Sequence, residues 1–333
     1  MLEGKLADSP LRTKRMNANS QLEPRIPSAG AGAELKFDFD GLRIGVAEYE
    51  EGPTGCTVFH FAEPAQCAVD VRGGSPGLLG SYPFTEAICI AGGSLYGLEA
   101  ATGVAATMLE QREGNVSWGH IATVCSGIIY DFGPRSNAIY PDKALGRAAY
   151  QAARPGVFPQ GGRGAGRSAT CGKFPDYPQF ERETAGQGAA FGMCGGSRVF
   201  VATVVNSIGV VVDRQGRVVR GLKDRETGER RHPRDVLRPT ADSAPAPSSV
   251  TENTTITVVA TDHPLPPLLL TQLGRQVHSS MARAIQPFHT PRDGDILFTV
   301  TTGKSTASVN NWALAEFASD LAWDAVLAAV KQP

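Results

Sequence analysis

The sequence lacks the features of a membrane, secreted or nucleic-acid-binding protein. No apolar run reaches the length of a bilayer span, and residues 1–34 contain no apolar signal core. The formal net charge is −1, which favours neither nucleic acid nor an anionic membrane as a partner. The 6 cysteines show no CxxC spacing, which argues against structural zinc and a disulfide framework. We therefore expect a cytoplasmic protein with reduced thiols.

Common enzyme motifs are missing as well. The nearest match to a Gly-x-Ser-x-Gly nucleophile elbow, at residues 92–97, has the wrong second spacing. The same stretch fails as a Gly-x-Gly-x-x-Gly dinucleotide motif, and no His-Glu-x-x-His pattern occurs. We therefore expect neither a cofactor nor a catalytic metal.

What the sequence does contain is a set of short strands and long, separate helices. Apolar patterning predicts helices at 94–111, 141–150, 265–285 and 309–330, and strands at 42–49, 56–61, 67–72, 87–91, 121–130, 198–205, 208–212, 254–261 and 296–301. No regular βαβ alternation is present. This pattern indicates an α+β fold with helices on the outer faces of stacked sheets.

The most informative stretch leads into the strand at 254–261. Residues 239–249 are rich in Pro, Ser and Ala, which predicts a mobile, exposed linker over 239–252. A β-branched strand then begins directly after Asn253. Cleavage of the Asn253–Thr254 bond would give Thr254 a free α-amine, which can serve as the base for its own hydroxyl. An ordinary loop-to-strand junction has the same sequence features.

A threonine nucleophile needs groups that manage the proton, stabilise the oxyanion and orient both. Lys173 ends a glycine-rich loop, Asn206 ends a buried strand, and Asp293 and Asp295 flank a glycine at a strand entrance. Tyr130, at the end of an apolar strand, is a candidate for substrate contact. The lysine, the asparagine and the aspartate pair also have purely structural explanations, as a solvated lysine, a turn asparagine and an Asp-Gly turn.

Several short stretches resemble the nylon-hydrolase family of 6-aminohexanoate-oligomer endo-hydrolases, and the likeness covers roughly residues 36–331. These stretches are 49–55, 96–100, 129–132, 140–147, 158–160, 186–191, 253–256, 276–281, 285–290 and 293–295. More distantly, the chain resembles the self-processing D-aminopeptidase and β-aminopeptidase group. That group uses a serine nucleophile after glycine, so the Asn253–Thr254 junction here favours the nylon-hydrolase branch.

The resemblance implies a stacked αββα sandwich of the N-terminal-nucleophile-hydrolase type, related to D-aminopeptidase and ornithine acetyltransferase. It implies autocleavage between Asn253 and Thr254, and endo-type hydrolysis of amide bonds in 6-aminohexanoate oligomers. It assigns catalytic roles to Thr254, Lys173, Asn206, Asp293 and Asp295, and substrate binding to Tyr130.

The resemblance also implies a division of the chain into parts. Cleavage would divide one hydrolase domain into a larger part, residues 36–253, and a smaller part, residues 254–333. The polar, proline-containing composition of the opening residues separately predicts a disordered or loosely docked arm over residues 1–35. Processed protomers would associate as a homo-oligomer, a tetramer, with no nucleic-acid or membrane partner. Two alternatives stay open: an aminopeptidase acting on short peptides, and a non-enzymatic assembly protein.

Overall fold

The fold is taken from a computed structural model, which describes residues 19, 21–28, 30, 32–174, 176–236 and 253–331. The predicted linker 239–252 lies outside the described residues, as does most of the predicted arm 1–35. The arm residues that are described contact the domain. Arg25 pairs through its backbone with Glu48, and a short strand that begins at Glu34 pairs with residues 157–159.

The strands are β1 (Glu34–Lys36), β2 (Leu42–Tyr49), β3 (Thr54–Val71), β4 (Leu78–Leu79), β5 (Phe84–Ala91), β6 (Val124–Ile128), β7 (Arg154–Pro155), β8 (Val157–Pro159), β9 (Thr170–Cys171), β10 (Phe180–Glu181), β11 (Glu183–Thr184), β12 (Gln187–Cys194), β13 (Ser197–Asn206), β14 (Val210–Val212), β15 (Val218–Arg220), β16 (Lys223–Asp224), β17 (Thr254–Thr261), β18 (Ile285–Gln286) and β19 (Ile296–Thr301). The α-helices are α1 (Glu99–Gln111), α2 (Lys143–Gln151), α3 (Pro233–Val236), α4 (Pro267–Ser280) and α5 (Asn311–Val330).

The long strand β3 joins two halves of the main sheet. Residues 54–61 pair with β2 and residues 56–60 with β5, whereas residues 66–71 pair with β19. One half therefore runs β7-β2-β3-β5-β6-β4, and the other runs β12-β13-β17-β19-β3. The pairs β17–β19 and β5–β6 are parallel, and the neighbouring pairs β13–β17 and β3–β19 are antiparallel.

Three buried apolar clusters show how the layers stack. One cluster combines Phe59 and Ile90 of the first half-sheet with Phe200, Ile256 and Phe298 of the second. A second cluster packs α1 and α2 on the outside of β2, β3 and β5, and a third packs α4 and α5 on the outside of β12, β13, β17 and β19. The order of layers is helix, sheet, sheet, helix, which confirms the predicted αββα sandwich.

Several predicted boundaries were wrong, each for a local reason. The strands predicted at 56–61 and 67–72 are one strand, β3, because the backbone pairs almost without interruption through a bulge after His60. The helix predicted at 94–111 starts with a 3-10 turn, and α1 begins only at Glu99. The helix predicted at 141–150 begins at Lys143, since the Asp142 side chain accepts the Leu145 N–H as an N-cap.

The helix predicted at 265–285 covers α4, a following 3-10 turn and the first residue of β18. Strand β17 agrees with its prediction at both ends. Every residue of β17 is buried, which explains its continuous β-branched sequence. Within the described residues, no helix is long and apolar enough to cross a bilayer.

The layer between the sheets gives a prediction about stability. Phe200 is fully buried, and its ring contacts the rings of Phe37, Phe59 and Phe158 at centroid distances of 4.8, 6.5 and 6.0 Å. We expect Phe200→Ala to lower the free energy of unfolding by about 3–5 kcal/mol, because it leaves a cavity between the two sheets. Urea denaturation measures the loss. Trp312→Ala, at a side chain 84% exposed, is the control, and equal losses in the two variants would contradict the packing described here.

Candidate active site

The predicted site residues meet where β17 begins. Thr254, the first residue of β17, lies opposite Asn206, the last residue of β13, in the antiparallel pair. The preceding residue, Asn253, forms a backbone bridge with Asp293. A site is therefore assembled from the ends of two central strands and the loop that leads into β19. Its side chains are buried, with exposures of 1–3% for these four residues.

The Asn253–Thr254 peptide is the centre of this geometry. Thr254 Oγ1 donates a hydrogen bond to the Asn253 carbonyl oxygen at 2.6 Å. The backbone N–H of Gly294 donates to the same oxygen, also at 2.6 Å. This N–H is placed to stabilise negative charge that develops on the carbonyl oxygen when the carbonyl carbon is attacked. The arrangement can therefore support acyl transfer to the threonine hydroxyl.

Gly294 has to be glycine for this close approach. A Cβ atom at residue 294 would lie 2.8 Å from Thr254 Oγ1 and 2.6 Å from the carbonyl oxygen of Ser75. Both distances are shorter than van der Waals contact. The Asp-Gly-Asp sequence therefore does more than form a turn, since its glycine lets a backbone N–H reach the Asn253 carbonyl.

Lys173 and Asn206 form a buried polar pair. Lys173 Nζ donates to Asn206 Oδ1 at 2.7 Å and to the Asn206 carbonyl oxygen at 3.0 Å. The Thr170 N–H also donates to Oδ1, and Asn206 Nδ2 donates to the Tyr130 carbonyl oxygen at 2.9 Å. Burial lowers the pKa of Lys173 to about 7. The Lys173 ammonium therefore loses its proton near neutral pH. The hydrogen bonds to Oδ1 and from Nδ2 hold the Asn206 amide in one orientation.

The two carboxylates bind different partners instead of sharing one network. Asp293 accepts hydrogen bonds from the Thr290 hydroxyl at 2.6 Å, the Thr290 N–H at 3.0 Å and the Ile208 N–H at 3.3 Å. Burial, and then the charge of Asp295, raise the pKa of Asp293 to about 6. Asp295 Oδ1 accepts the N–H of Thr255, the residue after Thr254, at 2.7 Å.

His289 and Gly294 lie at the site but outside the set of residues predicted from the sequence. The His289 backbone N–H and ring Nδ1 lie 3.1 and 3.0 Å from Asp295 Oδ2. The one sequence signal for either residue was its place in the same turn as the predicted carboxylates. Tyr130, by contrast, was predicted as a substrate contact. Its carbonyl binds Asn206, and its half-buried ring packs edge-on against Phe132 at 5.7 Å.

Comparison with known proteins shows which proteins the chain is similar to. The model of peptidase family S58 matches residues 37–332. The 6-aminohexanoate-oligomer endohydrolase of Paenarthrobacter ureafaciens is 50% identical to the chain over 318 residues, which are 92% of this chain and 88% of the relative. The resemblance to nylon hydrolases is thereby confirmed.

Solved structures share the fold at low sequence identity. The L-aminopeptidase D-Ala-esterase/amidase of Ochrobactrum anthropi, described as a variant of the Ntn-hydrolase fold, gives a TM-score of 0.64 at 18% identity, covering 91% of this chain and 88% of that one. A β-aminopeptidase of Burkholderia sp. gives 0.62 at 21% identity, covering 90% and 88%. The predicted N-terminal-nucleophile-hydrolase fold is confirmed. In the described part of the chain, no group of three or more His, Cys, Asp or Glu side chains is placed to hold a metal ion.

The lowered pKa of Lys173 predicts a pH dependence of stability. Between pH 7 and the pKa of about 10.5 in the unfolded chain, the unfolded state binds more protons than the folded state, so the folded state gains stability as the pH rises. Below about pH 7 both states are protonated, and the folded state carries the full cost of the buried charge.

We therefore expect Lys173→Met to remove this gain. The unfolding free energy of the wild type should rise relative to the variant by about 1–3 kcal/mol from pH 7 to pH 9, at most about 1.4 kcal/mol per pH unit. Urea denaturation at several pH values measures the difference, with Lys143→Met at an exposed lysine as the control. A difference that does not change with pH would contradict the assignment.

Proposed function

This chain belongs to peptidase family S58, and we propose that it is an amide hydrolase that cleaves itself between Asn253 and Thr254 and then uses Thr254 as its nucleophile. The observation that carries the proposal is the hydrogen bond of 2.6 Å from Thr254 Oγ1 to the Asn253 carbonyl oxygen. Gly294 N–H binds the same oxygen. A hydroxyl and an N–H that converge on one buried peptide bond favour attack on its carbonyl.

In self-processing, Thr254 Oγ attacks the carbonyl carbon of Asn253, and the oxyanion that forms is held by the Gly294 N–H. The peptide C–N bond then breaks, and its nitrogen takes the proton that the hydroxyl has given up. Asn253 is left joined to the Thr254 hydroxyl oxygen as an ester. Water hydrolyses the ester. The products are an Asn253 carboxylate and a Thr254 that carries both a free α-amine and a free hydroxyl.

In substrate turnover, the freed amine of Thr254 takes the proton of the hydroxyl as Oγ attacks the substrate amide. Asn206 Nδ2 has a second hydrogen besides the one on the Tyr130 carbonyl, and this hydrogen and the Gly294 N–H stabilise the oxyanion. Asp293 and Asp295 orient the Thr254 ammonium. The substrate C–N bond then breaks, the leaving amine takes the proton from the Thr254 ammonium, and water hydrolyses the acyl-enzyme ester.

Lys173 acts through Asn206 in this scheme. Its Nζ binds both the side-chain and the backbone oxygen of Asn206. This double contact supports a role in fixing the amide and in tuning the charge of the site. Tyr130 is assigned to the substrate pocket, and its support is the contact of its carbonyl with Asn206.

The proposed substrates are oligomers of 6-aminohexanoate, cleaved at internal amide bonds. The support is the identity of 50% over 92% of this chain to an enzyme named for that reaction. An aminopeptidase acting on short peptides is the second candidate, and the fold it shares with two aminopeptidases favours it. Family membership argues against a non-enzymatic assembly protein.

The processed parts, residues 1–253 and 254–333, would stay associated. Strand β17 of the smaller part pairs along its whole length with β13 of the larger part, and α5 packs on β12 and β13. Assembly of processed protomers into a tetramer belongs to the same proposal, and exposed apolar side chains such as Trp118 offer surfaces for it. A cytoplasmic location is supported by the free thiols of the described cysteines.

Self-processing predicts that removal of one hydroxyl keeps the chain whole. We expect freshly purified wild type to give two fragments in denaturing mass analysis, ending at Asn253 and beginning at Thr254, because the Thr254 hydroxyl attacks the preceding carbonyl. Thr254→Val should remain one chain of 35.1 kDa, and Thr254→Ser should still process. Thr257→Val, which removes another buried hydroxyl of the same strand, is the control and should process. Cleavage of the Thr254→Val chain at this bond would contradict the proposal.

Internal cleavage predicts a distinct order of products. With linear 6-aminohexanoate oligomers of about eight units, we expect fragments of intermediate length before the free monomer accumulates, since an endo-acting enzyme cuts inner bonds first. Time-resolved mass spectrometry follows the products, with Thr254→Val as the inactive control. Release of single units from the start of the reaction, or cleavage of short peptides only, would identify the aminopeptidase alternative.

A further inference from the structure

We infer that His289 is a positioning residue that holds Asp295 and, through it, the strand end that carries the nucleophile. The inference rests on the proposed role of Thr254.

Asp295 connects His289 to the residue next to the nucleophile. The carboxylate is fully buried. Its Oδ2 receives the backbone N–H of His289 at 3.1 Å and lies 3.0 Å from the ring Nδ1, while its Oδ1 receives the Thr255 N–H at 2.7 Å. Hydrogen bonds to an ionised carboxylate are short and strong. Because both oxygens are engaged, a rotation of the carboxylate breaks a contact on one side.

The backbone of His289 is held in an uncommon conformation. Its φ angle is +59°, in the left-handed region that residues other than glycine seldom adopt. Such a conformation is strained and persists where the surrounding contacts hold it. Here it lets one residue present its backbone N–H and its ring to the same oxygen of Asp295.

A second histidine supports the ring of His289 from behind. The His278 ring is fully buried and meets the His289 ring edge to face, at a centroid distance of 4.4 Å and an angle of 83°. His278 Nδ1 lies 2.8 Å from Asp70 Oδ2, which also accepts Arg72 Nε at 2.6 Å. Successive contacts therefore connect Arg72, Asp70, His278 and His289 to Asp295.

The contacts also assign a tautomer to each ring. Both Nδ1 atoms face carboxylate oxygens, so each Nδ1 carries the proton. In the described part of the chain, the buried Nε2 atoms of His278 and His289 have no hydrogen-bond partner. Burial lowers the pKa of His278, which favours a neutral ring with its proton on Nδ1. In this tautomer each Nε2 carries a lone pair and no hydrogen, so neither ring leaves a buried N–H donor without an acceptor.

The test compares two substitutions of His289. Asn places an N–H donor close to the position of Nδ1 and tolerates a positive φ, whereas Leu fills the space without a donor. We expect His289→Leu to slow self-cleavage by about tenfold to a hundredfold, the effect of losing one hydrogen bond to a charged group. His289→Asn should stay within about threefold of the wild type. His120→Leu, at an exposed histidine, is the matched control.

Rescue by the conservative variant separates positioning from simple packing. Both substitutions remove the imidazole ring, but His289→Asn keeps a donor for Asp295 Oδ2 and His289→Leu does not. We therefore expect self-cleavage to be slowed in His289→Leu and restored in His289→Asn. Equal slowing in both variants would overturn the inference, as would a wild-type rate in His289→Leu.

A spectroscopic measurement tests the same contact without relying on activity or on the stability of His289→Leu. In ¹⁵N-histidine NMR of the Thr254→Val chain at pH 8, we expect His278 and His289 each to give the signal of a protonated Nδ1, and the signal of His289 should disappear in His289→Asn. A His289 ring with an unprotonated Nδ1 would overturn the inference. A wild-type chain that never cleaves itself would instead overturn the proposed function, and the NMR result would still decide the role of His289.

Discussion

The site depends on the antiparallel pairing of β13 with β17. This pairing places Thr254 opposite Asn206 at the ends of two central strands, and burial on both faces of the sheet fixes its register. A slip by one residue would turn the Thr254 side chain to the opposite face of the sheet and away from Asn206. The layers on either side of the sheet, helices outside and the second half-sheet inside, keep that register in place.

Around this fixed strand end, the protein buries ionisable groups whose charged forms are costly. Lys173, with a pKa lowered to about 7, and Asp293, with a pKa raised to about 6, both change charge close to neutral pH. Burial is the first cause in each case. Groups with such pKa values suit proton management at neutral pH, and hydrogen bonds to Asn206 and Thr290 hold them in position.

The loop from residue 289 to 295 combines several functions in one short segment. Its glycine brings an N–H to the Asn253 carbonyl, and its two aspartates bind Ile208 on one side and Thr255 on the other. Backbone contacts from Ser75 to Asp293 and from Arg72 to Asp295 fasten the loop to the end of β3. The loop is therefore a rigid part of the sandwich, in keeping with the need of acyl transfer for donors that are already in place.

The sequence by itself determined the layered fold, the position of β17 and the chemical types at the site. Hydrophobic periodicity and β-branched runs are local, so they can be detected in the sequence alone. The predicted site residues Thr254, Lys173, Asn206, Asp293 and Asp295 came from the resemblance to nylon hydrolases. Only the tertiary structure decided which atoms meet. Asn206 binds a lysine 33 residues earlier, and Asp295 binds an amide 40 residues earlier. Such contacts arise from strand order and register. For this reason no local sequence pattern around His289 or Gly294 predicts them.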